Sequence, residues 1–524
     1  MGFPLISIEI HGQDQSYELE STTTTDRPYG VTASGDLIEC RIEKRKNSDS
    51  PAGIFEIQLV RSKDAQGRTW RDKIRPQDVV VIQMQNYQGT SGRNGAGELH
   101  TVMIGLVDSV QVATTLSASG KPQRVIQVKG TDFGKIFKTG IVTYWSFLGA
   151  TLLGENGTGK MENFIDASQL NTRPDRICAT LIDKLFRRFM DIRFRVQQHD
   201  YSIFDILAQQ LESYGIEVPA GHDYQFLNGE GNFWSFFTKV ASPPFHELWI
   251  DTRRSTAILT ENQDPLFTTI RQPTKYLGKD HSCPTLIMRK TPFPYLTSST
   301  PLAPFVPVQF QNADMNVNAD RWNAMRTTAH RIGRDDLVGE PFDEVISVSD
   351  EEQYNFYFVF ANYAWMPDKP YILSVPGIID RTRFRKYGYR PMTMTTALFH
   401  GPELSTADPA GLFYASLNWR MASWNCLNDW FESGYKTCKL LPHVHVGEIL
   451  VDESDWQEQP KEYYIESIIH HYIYNERATT TLGLTRGLTS KEYTEIDVNL
   501  RKQGLALVLP NAVTDIYNQL TGVS

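Results

Sequence analysis

Three groups of residues in this 524-residue chain have types and spacing that could do chemistry. Gly154-Glu-Asn-Gly-Thr-Gly-Lys160 has the glycine and lysine spacing of a loop that cradles phosphates on backbone N–H groups. Met161 stands where such a loop needs Ser or Thr to hold magnesium, so a flexible turn is the expected reading. His443 and His445 alternate and would share one face of a strand, while His470 and His471 lie on a strand that could pair with it. Such a set could assemble a zinc or iron site, although surface or barrel histidines are the commoner case. The acids Glu247, Asp251 and Glu466 would serve hydrolysis only if carboxylates converged in a cleft, and each has a plain reading as a strand-end or turn residue. The expectation is therefore no catalytic residue, no metal and no cofactor.

The bulk properties narrow the class. A chain of this length is divided among two to four folding units. The composition, 40% hydrophobic and 22% charged with 27 prolines, is that of an ordinary folded protein. A formal net charge of −9 argues against sequence-independent nucleic-acid binding, because phosphates attract a basic surface. The five cysteines, Cys40, Cys178, Cys283, Cys426 and Cys438, are scattered, without metal-site or disulfide spacing, and are expected as small buried apolar residues. No window is apolar enough for a membrane helix, and Met1–Ile10 lacks the pattern of a secretory signal, so a cytoplasmic protein is expected.

The elements that would position these residues are mostly strands. From Leu5 to about Gly140 short β-branched runs alternate with turn clusters, which reads as a small antiparallel β-barrel or sandwich, with the polar, glycine-rich 88–97 stretch as an exposed loop tip. The middle third is mixed α/β. A helix is expected over 174–195 and another over 202–214, and a further helical run ends at Pro243-Pro244 before an apolar strand. Residues 291–328, rich in Pro, Ser, Thr and Asn, read as a connector or extended arm. The last third returns to strands, interrupted by a helix from Asp408 to Ser433. Asp408 can cap it and Pro409 suits its first turn, and its aromatics Phe413, Tyr414, Trp419, Trp424, Trp430 and Phe431 are expected to pack on a barrel; the alternatives are a partner contact or a sugar platform. A tail from Val498 onward packs on the body or reaches a neighbour.

Two segments far apart in the chain share one layout. Asp78–Ile82 precedes Met103–Val110 and then Arg124–Asp132; Val446–Val451 precedes Tyr463–Ile469 and then Thr479–Gly487. In both, an acidic or Gly-Glu turn opens the first strand, an acid-Ser step lies inside the second, and the third alternates. Either a unit is duplicated, or two unrelated meanders look alike. A duplicated barrel would have a physical use, since three copies of a two-barrel chain present six barrel faces in a ring.

At these residues the chain resembles the baseplate hub family of contractile and related phage tails, whose members carry two tube-like barrels flanking a mixed insert. The resemblance lies in the helix-to-strand junction Pro243-Pro244-Phe245-His-Glu247-Leu-Trp-Ile-Asp251, in the Tyr387-Gly388-x-Arg390 segment, and in the closing hairpin with Tyr464, Glu466, Arg486 and Gly487. These are structural positions in the family. One departure is Cys438–Val446, where the family has a Gly-rich strand.

The resemblance implies an α+β, mainly β fold with two tail-tube-like antiparallel β-barrels. The expected division is a first barrel at 1–145, a mixed insert at 146–290, a connector at 291–340, a second barrel with an inserted helix at 341–490 and a tail at 491–524. It implies a non-enzymatic homotrimer in the virion tail baseplate, assembled in the host cytoplasm, with no membrane contact. Its partners would be the tail tube protein, the central spike protein and the tape-measure protein, with DNA passing through the lumen during ejection. The alternatives are a tail-tip peptidoglycan hydrolase and a receptor-binding module.

Overall fold

Apart from a few single positions, the computed structural model describes residues 5–20, 36–46, 53–86, 98–116, 122–142, 191–212, 231–255, 269–293, 321–336, 343–361, 377–396, 409–493 and 505–508, and a few positions between 175 and 187. The 88–97 loop, the 154–160 turn and most of the helix expected over 174–195 lie outside the described residues.

In the first unit, β1 (Leu5–His11), β2 (Ser16–Glu20), β3 (Leu37–Arg45), β4 (Ile54–Val60), β5 (Val79–Gln85), β6 (Leu99–Leu116) and β7 (Pro122–Asp132) pair antiparallel in the order β3-β4-β7-β6-β5-β1-β2. The apolar run of β5 is explained by its two covered faces. Val80, Ile82 and Met84 fill the unit's own core, while Val79 and Val81 join a core shared with the middle region.

The middle region holds β8 (Ile141–Val142), β9 (Arg193–Val196), β10 (His199–Ser202), β11 (Ala208–Leu211), β12 (Gly231–Asn232), helix α1 (Phe233–Ala241), β13 (His246–Arg254), β14 (Thr269–Arg271) and β15 (Ser282–Lys290), with a sheet in the order β13-β15-β11-β14. The helix expected over 202–214 is corrected to a single turn at Ile203–Ile206, capped by Ser202, followed by strand β11. All of Ala208–Leu211 is buried between β14 and β15, and a segment covered on every side suits a central strand better than a helix with one wet face. Likewise Arg193–Val196, at the end of the first expected helix, is strand. Helix α1 stops before Pro243-Pro244 and β13 follows, as the prolines dictate.

The last part holds β16 (His330–Gly333), β17 (Glu344–Val348), β18 (Phe356–Ala361), β19 (Gly377–Asp380), α2 (Arg381–Tyr387), β20 (Pro391–Thr396), α3 (Pro409–Asn425), β21 (Glu432–Lys439), β22 (Ile449–Glu453), β23 (Lys461–Ile473), β24 (Arg477–Thr489) and β25 (Leu505–Val508). Helix α3 starts at Pro409 as read and ends at Asn425, short of Ser433, because 432–439 pair as β21. Its Trp419 and Trp424 are buried against β18 and β19, so these aromatics are core. The C-terminal β25 adds to the small sheet β20-β18-β19-β25 and ties that segment to the body. Residues 321–327, inside the expected extended connector, are helical.

The echo seen in the sequence is a five-strand repeat. β5, β6, β7, β4 and β3 correspond to β22, β23, β24, β21 and β17, with one register. Leu106 faces Val79 and Thr131 just as Tyr464 faces Ile449 and Thr485. Ile57 between Val128 and Cys40 matches Lys436 between Leu482 and Glu344. The acid-Ser step is a β-bulge in both units: the ladder skips Asp108 between Val107 and Ser109, and Glu466 between Ile465 and Ser467. The opening turns match atom for atom. Gln77 N–H donates to the Val107 carbonyl (2.8 Å) and Gly447 N–H to that of Ile465 (2.9 Å). The Asp78 carboxylate accepts from Arg75 N–H (2.8 Å), and the Glu448 carboxylate from His445 N–H (3.0 Å). The match ends at the flank, where β1 joins β5 antiparallel and β16 joins β22 parallel.

Two tube-like barrels were expected. Among the described residues no barrel closure is seen, and the strands of the two units form one thirteen-stranded sheet, because a lateral edge of β23 pairs with β3 from Ser467↔Arg45 to Ile473↔Glu39. The first four residues of that same edge pair with β22. A sheet with an open edge needs a partner for its exposed N–H and C=O groups, and at this junction each unit supplies the other's.

The turn residues Gln77 (φ 75°) and Gly447 (φ 83°) both sit in the left-handed region. Gly447→Ala is expected to lower stability by about 1–3 kcal/mol, since a Cβ there would also meet Arg289 Nη2 at 2.9 Å. Gln77→Gly is expected to leave the thermal midpoint unchanged or raise it, and calorimetry of the two variants checks both.

Candidate functional site

The most concentrated chemistry lies where β13 crosses the seam between the two units. Strand alternation divides its side chains: Leu248 and Ile250 enter the core shared with the first unit, while Glu247, Trp249, Asp251 and Arg253 face the seam. All of these residues are buried.

Glu247 accepts hydrogen bonds from Lys46 Nζ (2.6 Å), just beyond β3, from Arg289 Nε (3.1 Å) on β15, and from the Tyr464 hydroxyl (2.6 Å) on β23. Lys46 also pairs with Glu466 (3.1 Å) and lies over the Tyr464 ring at 4.3 Å. Its own N–H donates to the Glu466 carbonyl (3.0 Å), extending the β3–β23 ladder by one step. Arg289 donates to the Gly447 carbonyl (2.6 Å) and stacks on Trp249 at 4.9 Å. Asp251 pairs with Lys44 (2.5 Å) and with His445 Nδ1 (2.9 Å). Arg253 reaches Glu448 (2.9 Å), which also holds His330 (2.6 Å). Lys46, Lys44 and Arg253 therefore tie the first unit, the middle sheet and the second unit together, while Arg289–Glu247 lies within the middle sheet and His330–Glu448 within the last part.

These charges are fixed rather than poised. Burial alone would raise Glu247, but Lys46 and Arg289 outweigh it and hold the carboxyl below its ordinary range. Burial opposes ionisation of Asp251 too, and Lys44 with His445 overcomes it, leaving Asp251 well below. The same balance, with His330 and Arg253 beside it, depresses Glu448. None of the three can act as a general acid near neutrality. Asp132 differs: burial pushes it up to about 7, but it is 4% exposed and its oxygens accept from Gly53 N–H (2.6 Å) and Gly134 N–H (2.8 Å) rather than facing a cleft.

The four histidines do not converge. His443 and His445 lie in a turn rather than a strand, where His443 rests against His100 and His330 and His445 binds Asp251. His470 bonds Thr480 (2.9 Å), and its neighbour His471 points to the opposite face, to Glu39 (2.7 Å). Among the described residues no group of three or more His, Cys, Asp or Glu is arranged to hold a metal ion.

The remaining motif positions are scattered through the packing. Pro243-Pro244 leads into Phe245, which is 1% exposed and packs on Trp424 at 5.9 Å. Tyr387 bonds Asp429 (3.0 Å), and Gly388 (φ 73°) ends α2, its N–H donating to the Phe384 carbonyl (3.0 Å). Arg390 reaches Asp350 (3.0 Å). Arg486 stacks 3.6 Å over Phe293 and donates to the Trp424 carbonyl (2.7 Å), and Gly487 passes so close to Tyr463 that a Cβ would lie 2.1 Å from its ring. The structure thus brings Glu247, Asp251, Tyr464 and Glu466 together and leaves Tyr387, Gly388 and Arg390 apart. Lys44, Lys46, Arg253, Arg289 and Glu448 belong to the cluster and were missed. The Lys44-x-Lys46 spacing, matched to alternating acids on β13, was the available signal.

Breaking a buried pair from one side leaves an uncompensated charge, so Glu247→Gln is expected to cost about 3–5 kcal/mol in urea unfolding. Glu466→Gln, at a position 32% exposed, is expected to cost under about 1 kcal/mol. His470 yields a pH effect. Burial, helped by Lys44, lowers it from 6.5 to about 3, so between those values the unfolded chain binds a proton that the folded chain refuses. Its stabilising effect is complete above pH 6.5 and is lost at about 1.4 kcal/mol per pH unit as pH falls toward 3. His470→Gln is expected to flatten the fall of the unfolding midpoint over that window.

No protein-family pattern matches the chain, and no curated protein matches it. Among solved structures it is similar to the 43 kDa tail protein of prophage MuSo2 from Shewanella oneidensis, at 10% identity over 92% of this chain and 98% of that one, with a TM-score of 0.43. It is also similar to the tail protein from Neisseria meningitidis MC58, at 10% identity over 92% and 96% and a TM-score of 0.42. A third is the prophage tail protein gp18 from Listeria monocytogenes EGD-e, at 8% identity over 95% and 98% and a TM-score of 0.37. These neighbours are tail proteins.

Proposed function

We propose that the chain is a structural baseplate hub of a phage-type tail, in which three copies form a pseudo-six-fold ring that joins a six-fold tail tube to a three-fold central spike. The observation that carries this is the five-strand repeat, held in one register and fused laterally through β23 and β3. One chain thereby presents two near-equivalent faces side by side. Three copies around an axis present six such faces to the tube, while everything outside the repeat, including α3 and its small sheet, occurs three times and suits the spike.

The buried charges fit a structural role. Glu247, Asp251 and Glu448 are each neutralised by a cation from another part of the chain, an arrangement that fixes how the units sit and gives none of these three carboxyls the raised affinity for protons that glycan hydrolysis requires. The negative balance suits a lumen along which DNA, and the tape-measure protein before it, slides without adhering. Assembly would take place in the host cytoplasm.

Mass photometry of the purified protein, alone and with its spike, is expected to show a trimer in at least the second sample. A stable monomer in both contradicts the hub reading.

A further inference from the structure

The two units are equivalent strand for strand, but only one of two equivalent edges is occupied. Within the chain, residues 467–473 of β23 pair with β3 of the first unit. The matching segment of the first unit is Ser109–Thr115 on β6, and the strand matching β3 in the second unit is β17. Among the described residues, Ser109–Thr115 pairs only with β7, and β17 only with β21. Among the described residues their outer edges are open.

We infer that the β6 edge of one copy pairs antiparallel with the β17 edge of the next copy, in the register that the chain uses internally. This rests on the ring reading and specifies the interface that closes it. Carrying Ile468↔Lys44, Ile469↔Glu43, His470↔Ile42 and His471↔Arg41 through the repeat gives Val110↔Val348, Gln111↔Ser347, Val112↔Ile346 and Ala113↔Val345. The side chains agree with the assignment. Val112, Val345 and Val348 are 38%, 51% and 55% exposed, among the few large apolar residues left in solvent. At the internal junction the residues corresponding to Val112 and Val348 are His470 and Lys44, 1% and 6% exposed. Alternation places Val110, Val112, Ile346 and Val348 on one face of the new pair as two adjacent β-branched cross-strand contacts. Long open edges carrying apolar side chains are sites where another chain adds. The occupant is a second copy of this chain, because only it carries the complementary edge in the register already shown inside the molecule. Each copy offers one edge of each kind, so the contact is head-to-tail and closes into a ring.

The test is cross-linking of the full-length double variant Gln111→Cys with Ser347→Cys, using a mild oxidant and, in parallel, a short bis-maleimide. The five native cysteines are all buried, which keeps the background low. The expected result is covalent dimer and trimer and nothing larger, with none from Gln111→Cys paired with Asp343→Cys, which the register places about 13 Å further along the strand. A second variant, Val112→Lys with Val348→Lys, is expected to abolish assembly with an unchanged melting temperature, since both side chains are exposed in the single chain. A trimer by mass photometry that fails to cross-link at 111 and 347, or that survives the two lysines, overturns this register while leaving the ring reading intact. A protein that stays monomeric even with its spike overturns both.

Discussion

An open β edge cannot be left alone. Its N–H and C=O groups need partners, and a unit whose sheet ends in unpaired strands must find them in water, in another part of the chain or in another molecule. The organisation of this protein follows from how that constraint is met. The long strand β23 divides one edge between β22 and β3, and the second division turns two units into one continuous sheet. The seam charges on β13 lie where this junction needs holding, with Lys44 arriving from β3, Lys46 from just beyond it, and Tyr464 and Glu466 from β23. Because each carboxylate there binds cations from a different part, the cluster acts on geometry more than on net stability.

The two units share backbone logic and little else. The position of Cys40, Ile57 and Ile82 in the first core is taken in the second by Glu344, Lys436 and Asp452, which pair with one another. Lys436, bonded to both acids, thus stands with them where the first unit has three apolar side chains. The two units share one register despite that difference because the register is pinned elsewhere, by a left-handed turn residue, a carboxylate that caps the turn, and a bulge at an acid-Ser step.

These pins explain what was legible in the sequence. Asp108-Ser109 and Glu466-Ser467, and the turns before β5 and β22, stand out because they are local and chemically alike, so three of the repeat's five strands could be read. The equivalence of β3 with β17 and of β4 with β21 could not, since Leu37–Arg45 and Glu344–Val348 share no pattern once one is half-buried in a junction and the other faces solvent. The break at Pro243-Pro244 and the start of α3 at Pro409 were legible because proline acts on its own neighbours. The helix expected over 202–214 failed for the opposite reason. Ala208–Leu211 takes its conformation from β14 and β15, which are distant in sequence. The candidate site was half visible: the acids of β13 were noticed, but their cations lie on strands some two hundred residues away, and only the fold reveals the pairing.

The central claim is that one five-strand unit, built twice in a chain, repeats around an axis as though it were six. A cryo-electron reconstruction of the assembled particle, computed without imposed symmetry, tests it most directly. The account predicts six copies of the unit at one radius, alternating between those that contain β6 and those that contain β23, with continuous strand pairing at every junction. A ring in which the two kinds of unit lie at different radii, or in which only the junctions within a chain show paired strands, would contradict it.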